Sequence, residues 1–274
     1  MSEDDISLSE KRMYGRTRPE THAYVASGLG ITRVETAGGQ IGRFSLEKRC
    51  DARDIAGTNG EIAVATDDAV LVSTDDGFAA TGFGPATAVG YDEAGLVAAG
   101  EERVARYDDG EWWEMGSVAD VRALAADLLA AADGVYGLPG CAYLGLHDAA
   151  DVAGPFAATA DGLYERDPQE GTVGARENWR PVRSGAHGAV ATDGERGHAA
   201  DIDTLVELVD GDWRECDLPV RERVVDVCYG DAVYAVTEDG TFLVDTADES
   251  TADGHGGWRS RSLGLPEVVG VAVA

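Results

Sequence analysis

The chain has 274 residues and a net charge of −29, since 51 acidic residues stand against 22 basic ones. Nucleic-acid binding needs a basic face that neutralises phosphates, so this charge balance argues against that class of partner. Hydrophobic residues make up 44% of the sequence, which excludes the composition of a disordered acidic chain.

The first 20 residues are less regular than the rest and are predicted to form a partly disordered tail before one folded domain over residues 21–274. The tail concentrates basic side chains, either as a loose terminus or as a segment that docks on an acidic surface of this chain or of a partner. Its start, MSEDDISLSE, lacks the apolar core of a signal peptide, and no run of about 18 apolar residues follows. We therefore expect a cytoplasmic protein.

Seven hairpins follow the tail, each made of two short apolar runs that meet at an acidic or glycine corner. The corners recur about every 35 residues, which is typical of a repeat architecture. In chain order they lie at Gly30, Ala69, Arg103, Gly134, Gly162, Thr204 and Gly240.

Each hairpin after the first is preceded by another short apolar strand, and many repeats end in a further segment with an aromatic residue after a polar turn. Each unit therefore contains about four strands. A last apolar strand, residues 266–274, has no hairpin after it, whereas the first hairpin has no strand before it. The preceding strands cover residues 53–57, 87–91, 119–125, 150–154, 187–191 and 225–230. Two long polar segments, 166–186 and 246–257, are predicted to be loops.

Four antiparallel strands in a repeat of this length are typical of a β-propeller blade. We predict an all-β protein with a single β-propeller of seven four-stranded blades, closed by pairing of the C-terminal strand with the N-terminal blade. Six blades, with two short repeats fused, is the first alternative because the interval between Gly134 and Gly162 is short. A β-sandwich is a more distant one.

The repeats resemble Asp-box propellers and propellers of the photosystem-assembly-factor type, in which a strand DGLY leads to a turn before an aromatic residue. The segment STDDGF (73–78) matches the Asp-box pattern S-x-D-x-G but lacks the later tryptophan. Over its full length, including IGRFSLEKRC and RDIAG, the chain is similar to a family of haloarchaeal β-propeller proteins. The resemblance implies the fold and no particular activity.

Propeller geometry supplies the candidate ligand groups, because the innermost strand of each blade lines a central channel. An aspartate before a branched residue recurs in four predicted innermost strands, at Asp54, Asp120, Asp151 and Asp226. Hard cations take oxygen ligands, so a ring of carboxylates is suited to binding a cation or a polar ligand. An aspartate repeated at one blade position is equally suited to accepting backbone N–H groups, and both interpretations remain open.

Acidic residues also recur in the predicted corners between the second and third strands of six blades, where tight turns favour them. These loops and the loops that enter the innermost strands build the same face. The corner residues are Asp67, Asp68, Glu101, Glu102, Asp133, Asp161, Asp201, Asp203, Glu238 and Asp239.

His187 falls at the channel edge of an innermost strand and is the fifth candidate ligand residue. No catalytic residue and no cofactor are predicted, because the sequence lacks G-x-S-x-G, H-E-x-x-H and P-loop motifs. Cys50, Cys141, Cys216 and Cys228 have neither C-x-x-C nor zinc-finger spacing, which predicts free thiols and no metal site. The tryptophans fall mostly in predicted outer strands, where blade packing explains them.

The predicted function is a non-catalytic binding or scaffold propeller that interacts with another protein, because a rigid ring with variable loops suits that role. The alternative is a small-molecule or cation-binding propeller enzyme, of hydrolase or lyase type, with its site at the acidic channel mouth. We expect a monomer with a protein partner and with neither a nucleic-acid nor a membrane partner.

Lysine is scarce, since only Lys11 and Lys48 of the 22 basic residues are lysines. Such an acidic, lysine-poor composition resembles the proteome of salt-in halophilic archaea. Net charge of this size keeps a protein soluble, but it destabilises the compact state unless salt screens it.

Overall fold

The computed structural model describes residues 20–58, 60–167, 179–245 and 257–274, and these form seven antiparallel sheets of four strands each. This confirms the seven-bladed propeller. The predicted tail lies, except for Glu20, outside the described residues. No helix long and apolar enough to cross a membrane is found in the described part of the chain.

The blades are numbered in chain order. Blades 1 to 4 are β1 (Thr21–Ser27), β2 (Gly30–Ala37) and β3 (Gln40–Lys48) with β28 (Val268–Val273); β4 (Ala52–Thr58), β5 (Glu61–Thr66), β6 (Val70–Thr74) and β7 (Gly77–Ala80); β8 (Ala88–Asp92), β9 (Gly95–Gly100), β10 (Arg103–Asp108) and β11 (Glu111–Ser117); β12 (Val121–Ala125), β13 (Leu128–Ala131), β14 (Gly134–Gly137) and β15 (Ala142–Gly145). Blades 5 to 7 are β16 (Ala149–Ala153), β17 (Phe156–Thr159), β18 (Gly162–Arg166) and β19 (Trp179–Ser184); β20 (His187–Thr192), β21 (Gly197–Asp201), β22 (Leu205–Val209) and β23 (Asp212–Glu215); β24 (Val224–Tyr229), β25 (Val233–Thr237), β26 (Thr241–Asp245) and β27 (Trp258–Ser262).

The ring closes through the C-terminal strand, as predicted. β28 pairs antiparallel with β1, in a register that runs from Ala23 opposite Val273 to Ser27 opposite Val268. The innermost strands β28, β4, β8, β12, β16, β20 and β24 each contact the next around the ring, and β24 contacts β28. The two ends of the described propeller are thereby held in one sheet.

The core is divided into seven clusters of buried apolar side chains, one between each pair of neighbouring blades. The second strand of a blade packs against neighbours on both faces, so its burial is nearly continuous. In β13 (LLAA) and β17 (FAAT) every residue is buried. A run of buried strand residues without alternation follows from this two-sided packing.

One predicted loop is wrong in part. Residues 166–186 were expected to be irregular, but Trp179–Ser184 form β19, the outer strand of blade 5. The strand WRPVRS has a polar exposed side because it lies at the outer edge of its sheet, where alternation of apolar residues is not required. Residues 168–178 and 246–256 of the two predicted loops lie outside the described residues.

Candidate functional site

The central channel holds a cavity of about 530 Å³, lined by residues of the innermost strands. Asp54, Asp151 and Asp226 are among the lining residues, and Arg53 and Arg122 line it as well. The channel therefore brings together three of the four predicted aspartates.

Each of these three carboxyl groups accepts two backbone N–H groups, one from its own strand and one from the next blade. Oδ1 of Asp54 accepts the N–H of Ile55 at 2.8 Å, and its Oδ2 accepts the N–H of Val89 in blade 3 at 2.9 Å. We call this arrangement a carboxyl bridge. It recurs from Asp151 to Val152 and Val190, at 2.8 Å each, and from Asp226 to Val227 and Val271, at 2.7 and 2.8 Å.

The three carboxyl bridges tie blade 2 to blade 3, blade 5 to blade 6, and blade 7 to blade 1. The receiving blade has a small residue where the donor blade has aspartate: Ala88, Ala189 and Gly270. A Cβ added to Gly270 would lie 2.9 Å from Oδ2 of Asp226. Each bridge pairs an aspartate in one blade with a small residue in the next. The three carboxyl groups therefore accept N–H groups from six of the seven innermost strands, all except that of blade 4.

Burial raises the pKa of all three carboxyl groups, because the narrow channel desolvates the charged form. The pKa of Asp54 rises to about 8 and that of Asp151 to about 6, while the pKa of Asp226 is raised well above its ordinary value. The accepted N–H groups oppose the shift, and the charge of Asp151 adds to it at the other two. All three carboxyl groups line one cavity, so the charge of one disfavours the charged form of another.

The fourth predicted aspartate lies elsewhere. Asp120 precedes β12, is exposed, and has a left-handed backbone with φ of 51°. A register shift between Val121 and Ala123 shows that Ala123 occupies the place that Asp54 has in blade 2. The assignment of Asp120 to the channel is therefore wrong, because β12 begins at Val121 and its channel position lies three residues after Asp120.

His187 begins β20 and is buried, but it is not among the residues that line the channel cavity. Its Nδ1 lies 2.8 Å from the carbonyl oxygen of Gly185, and its Nε2 is buried without a partner among the described residues. Burial lowers the pKa of the ring, so the neutral form is favoured.

The acidic corners lie where the sequence predicts them, in the loops between the second and third strands of blades 2 to 7. Nearly all of their carboxylates are exposed. In several blades the last residue of the second strand holds the turn through its side-chain oxygen: Thr159 Oγ1 accepts the N–H of Gly162 and donates to the carbonyl oxygen of that residue. A hydroxyl or carboxylate has the corresponding role at Ser27, Thr66, Asp201 and Thr237.

Two arginines at the channel mouth were not predicted as site residues. Arg53 and Arg122 occupy equivalent positions, each one residue before the channel position of its blade. Arg53 pairs with Asp51 at 3.3 Å and Arg122 with Asp148 at 2.6 Å. Their spacing in the sequence carries no signal by itself, because only the bulged register shows that the two positions are equivalent.

The tryptophans lie in outer strands, as predicted, but packing does not explain all of them. Trp112 of β11 packs edge-on against Phe83 at 4.7 Å and donates Nε1–H to the carbonyl oxygen of Thr81. The next residue, Trp113, points to the other face of the strand and is 60% exposed. It lies in a surface groove with Met115 and Pro139, so its role is not core packing.

A family model described as "Beta-prop_HVO_0234:-like, beta propeller" matches residues 7–274. The chain belongs to this β-propeller family. Its membership agrees with seven blades closed through the last strand. A search of curated proteins gives no match.

Solved structures show the same architecture at low sequence identity. The computationally designed Ika8 protein is 14% identical, with a TM-score of 0.55 and coverage of 93% of this chain and 92% of that chain. The WD40 β-propeller domain of Doa1 is 17% identical, with a TM-score of 0.55 and coverage of 78% and 83%. Apo AztD from Citrobacter koseri is 11% identical, with a TM-score of 0.53 and coverage of 90% and 83%. These likenesses concern the fold alone.

Proposed function

We propose that this propeller is a non-catalytic binding module that holds another protein, and that Trp113 is the anchor of the contact. The exposed indole of Trp113 carries the proposal. Tryptophan is among the residues that supply most of the binding energy at protein interfaces, and an indole that is 60% exposed is accessible to a partner.

The surroundings of Trp113 define the chemistry of the partner. The groove combines the indole with the apolar surface of Met115 and Pro139. Asp108, Glu114 and Arg106 also line it, and Arg106 pairs with Asp92, so the acidic groups prevail. A partner segment that fits presents an apolar side chain flanked by lysine or arginine.

The use of the channel carboxyl groups also favours a binding role over catalysis. A general acid or base must lie within hydrogen-bond reach of a substrate proton, and backbone N–H groups that bind both of its oxygens restrict its orientation. In Asp54, Asp151 and Asp226 both oxygens already accept backbone N–H groups. We therefore assign these residues to the assembly of the ring.

Affinity capture from native lysate at high salt tests the proposal, with the wild-type chain, Trp113→Ala and Ile202→Ala as baits. Ile202 is a matched control, because it is 62% exposed but lies in a corner of blade 6, away from the groove. We expect one protein to be retained by the wild type and by Ile202→Ala, and to be depleted at least about tenfold by Trp113→Ala. Equal retention by all three baits would contradict the role of Trp113.

A second candidate function is the binding of a cation or small polar ligand in the channel by Asp54, Asp151 and Asp226. Asp120 and His187, the other two predicted ligand residues, do not line this cavity. The convergence of three carboxyl groups on one cavity favours it. Calcium titration at high KCl, followed by calorimetry, tests it with Asp226→Asn as the variant and Asp120→Asn as the control. Binding that is lost only in Asp226→Asn would support an occupied channel, and no binding by the wild type would remove this candidate.

The setting we propose is the cytoplasm of a salt-in halophilic archaeon, with the propeller as a monomer before it meets its partner. The acidic, lysine-poor composition supports this setting. Sedimentation in multimolar KCl tests the oligomeric state, and a stable dimer at micromolar concentration would contradict it.

A further inference from the structure

A cluster of three potential metal ligands lies between blades 6 and 7, away from the channel. His198 of β21, Glu207 of β22 and Cys216 after β23 have ligand atoms that all lie within 4.8 Å of one another. In the part of the chain that the structure describes, this is the one group of three such residues. We call it the blade 6 cluster.

The backbone of blade 6 assembles this cluster. His198 and Glu207 are direct partners in the register of β21 and β22, so their side chains lie on the same face of the sheet. The N–H of Cys216 donates to the carbonyl oxygen of Leu205 at 2.9 Å, which extends the blade beyond β23 and brings the thiol to that face. Two neighbouring strands and the residue that follows the third thus each contribute one ligand atom.

The histidine is the observation that points to a ligand. His198 is only 3% exposed, and its Nε2 is buried with no hydrogen-bond partner among the described residues. A buried polar atom without a partner is rare, because leaving it unpaired costs free energy. A metal ion at Nε2 would supply the missing partner.

The other ring nitrogen of His198 has a partner suited to metal ligation. Nδ1 lies 2.6 Å from the hydroxyl oxygen of Tyr229, and the edge of Trp258 packs against the imidazole. If Nδ1–H donates to that oxygen, the lone pair of Nε2 is directed into the cluster. Metal-bound histidines almost always make such an outer hydrogen bond, which fixes both the tautomer and the orientation of the ring.

The surrounding charges suit a divalent cation. Asp245 of β26 lies close enough to act on the Cys216 thiol, and its own Oδ1 is buried without a partner among the described residues. Glu207 and Asp245 supply two negative charges, and a thiolate would add a third. Arg196 is the nearby cation, but its guanidinium pairs with Asp193 at 2.7 Å and covers the ring of Tyr229.

We propose that the blade 6 cluster is a zinc site, with His198 Nε2, a Glu207 carboxylate oxygen and Cys216 Sγ as its protein ligands. Nitrogen, oxygen and thiolate donors together are typical of Zn²⁺, and three protein ligands leave a fourth position for water. Bond lengths of about 2.0–2.3 Å require the ligand atoms to close by roughly an ångström. Binding converts Cys–SH to a zinc thiolate and releases one proton.

Cobalt(II) is the probe for this site, because a thiolate bound to Co²⁺ gives a near-ultraviolet charge-transfer band that carboxylates do not give. The full chain is stripped with chelator and titrated with Co²⁺, and then with Zn²⁺ as competitor. We expect one equivalent of Co²⁺ to produce the band and one equivalent of Zn²⁺ to remove it. Adventitious binding of Co²⁺ to the acidic surface produces no such band. If the wild-type chain gives no charge-transfer band, the proposal is overturned.

Matched variants assign the ligands. Cys216→Ser should abolish the band, whereas Cys141→Ser, which changes another part-buried free thiol, should keep it. Tyr229→Phe leaves all three ligands in place and should weaken Co²⁺ binding about 10–100-fold. Near-ultraviolet circular dichroism confirms that each variant is folded. A band that survives in Cys216→Ser, or that disappears equally in Cys141→Ser, would overturn the assignment.

Discussion

At the scale of single residues, the carboxyl bridges explain why an aspartate returns in the innermost strands. The innermost strand has one neighbour within its blade, so the N–H groups on its other side need partners. Asp54 supplies them for its own blade and for blade 3. The repeated aspartate is therefore a connector of backbones.

Replacing Asp54 with asparagine tests this role through its pH dependence. The pKa of Asp54 is raised from 3.8 to about 8, so between these values the folded state keeps a proton that the unfolded chain has lost. Its contribution to stability is therefore full below about pH 4 and is lost as the pH rises through about 8. We expect Asp54→Asn to cost about 1–3 kcal/mol near pH 5, because the amide accepts only one of the two N–H groups.

The cost of Asp54→Asn should then shrink toward pH 9, because asparagine does not titrate. Chemical denaturation at fixed high salt measures the difference from the wild type at each pH. Asp120→Asn is the matched control, since Asp120 is exposed and outside the channel, and it should leave stability unchanged. A cost of Asp54→Asn that grows with pH, or is absent throughout, would refute the bridge.

At the scale of elements, the closing strand is the part of the fold on which the ring depends. β28 pairs with β1, contacts β4 and β24, and carries the N–H of Val271 that Asp226 accepts. Deleting residues 266–274 should expose the unpaired edge of β1, open the ring between blades 7 and 2, and cause unfolding or aggregation. Circular dichroism melts and light scattering measure this, with removal of Ala274 alone as the control. Unchanged melting of the longer deletion would show that the ring does not need its last strand.

At the scale of the whole molecule, charge sets the conditions for stability. The acidic corners lie on one face around the ring, and their repulsion acts over distances that salt shortens from about 10 Å at 0.1 M to about 3 Å at 1 M. We expect the melting temperature to rise steeply with KCl up to multimolar concentration. Sucrose, which strengthens burial without screening, is the control and should have a smaller effect. A flat response to KCl would mean that the acidic residues are compensated by pairing.

The sequence by itself determined the four-strand plan of the blades, because strand and turn signals are local. It favoured seven blades over six, and it indicated the closure because each end of the chain had a strand without a partner. Corners such as Gly30 and Gly162 recur between apolar runs, and the unpaired strands at the two ends need each other. Edge pairing and hairpin turns are properties of short segments, so the pattern of one chain is sufficient to predict them.

Only the tertiary structure decided which side chains meet. Asp120 and Asp54 precede similar residues in the sequence, yet the register of β12 with β13 puts Ala123 at the channel position and leaves Asp120 exposed before the strand. Trp112 and Trp113 are neighbours that point to opposite faces of β11, and the structure shows that Trp112 is packed and Trp113 is exposed. The blade 6 cluster has no motif spacing, since its ligands come from separate strands and meet only through register and the packing of neighbouring blades.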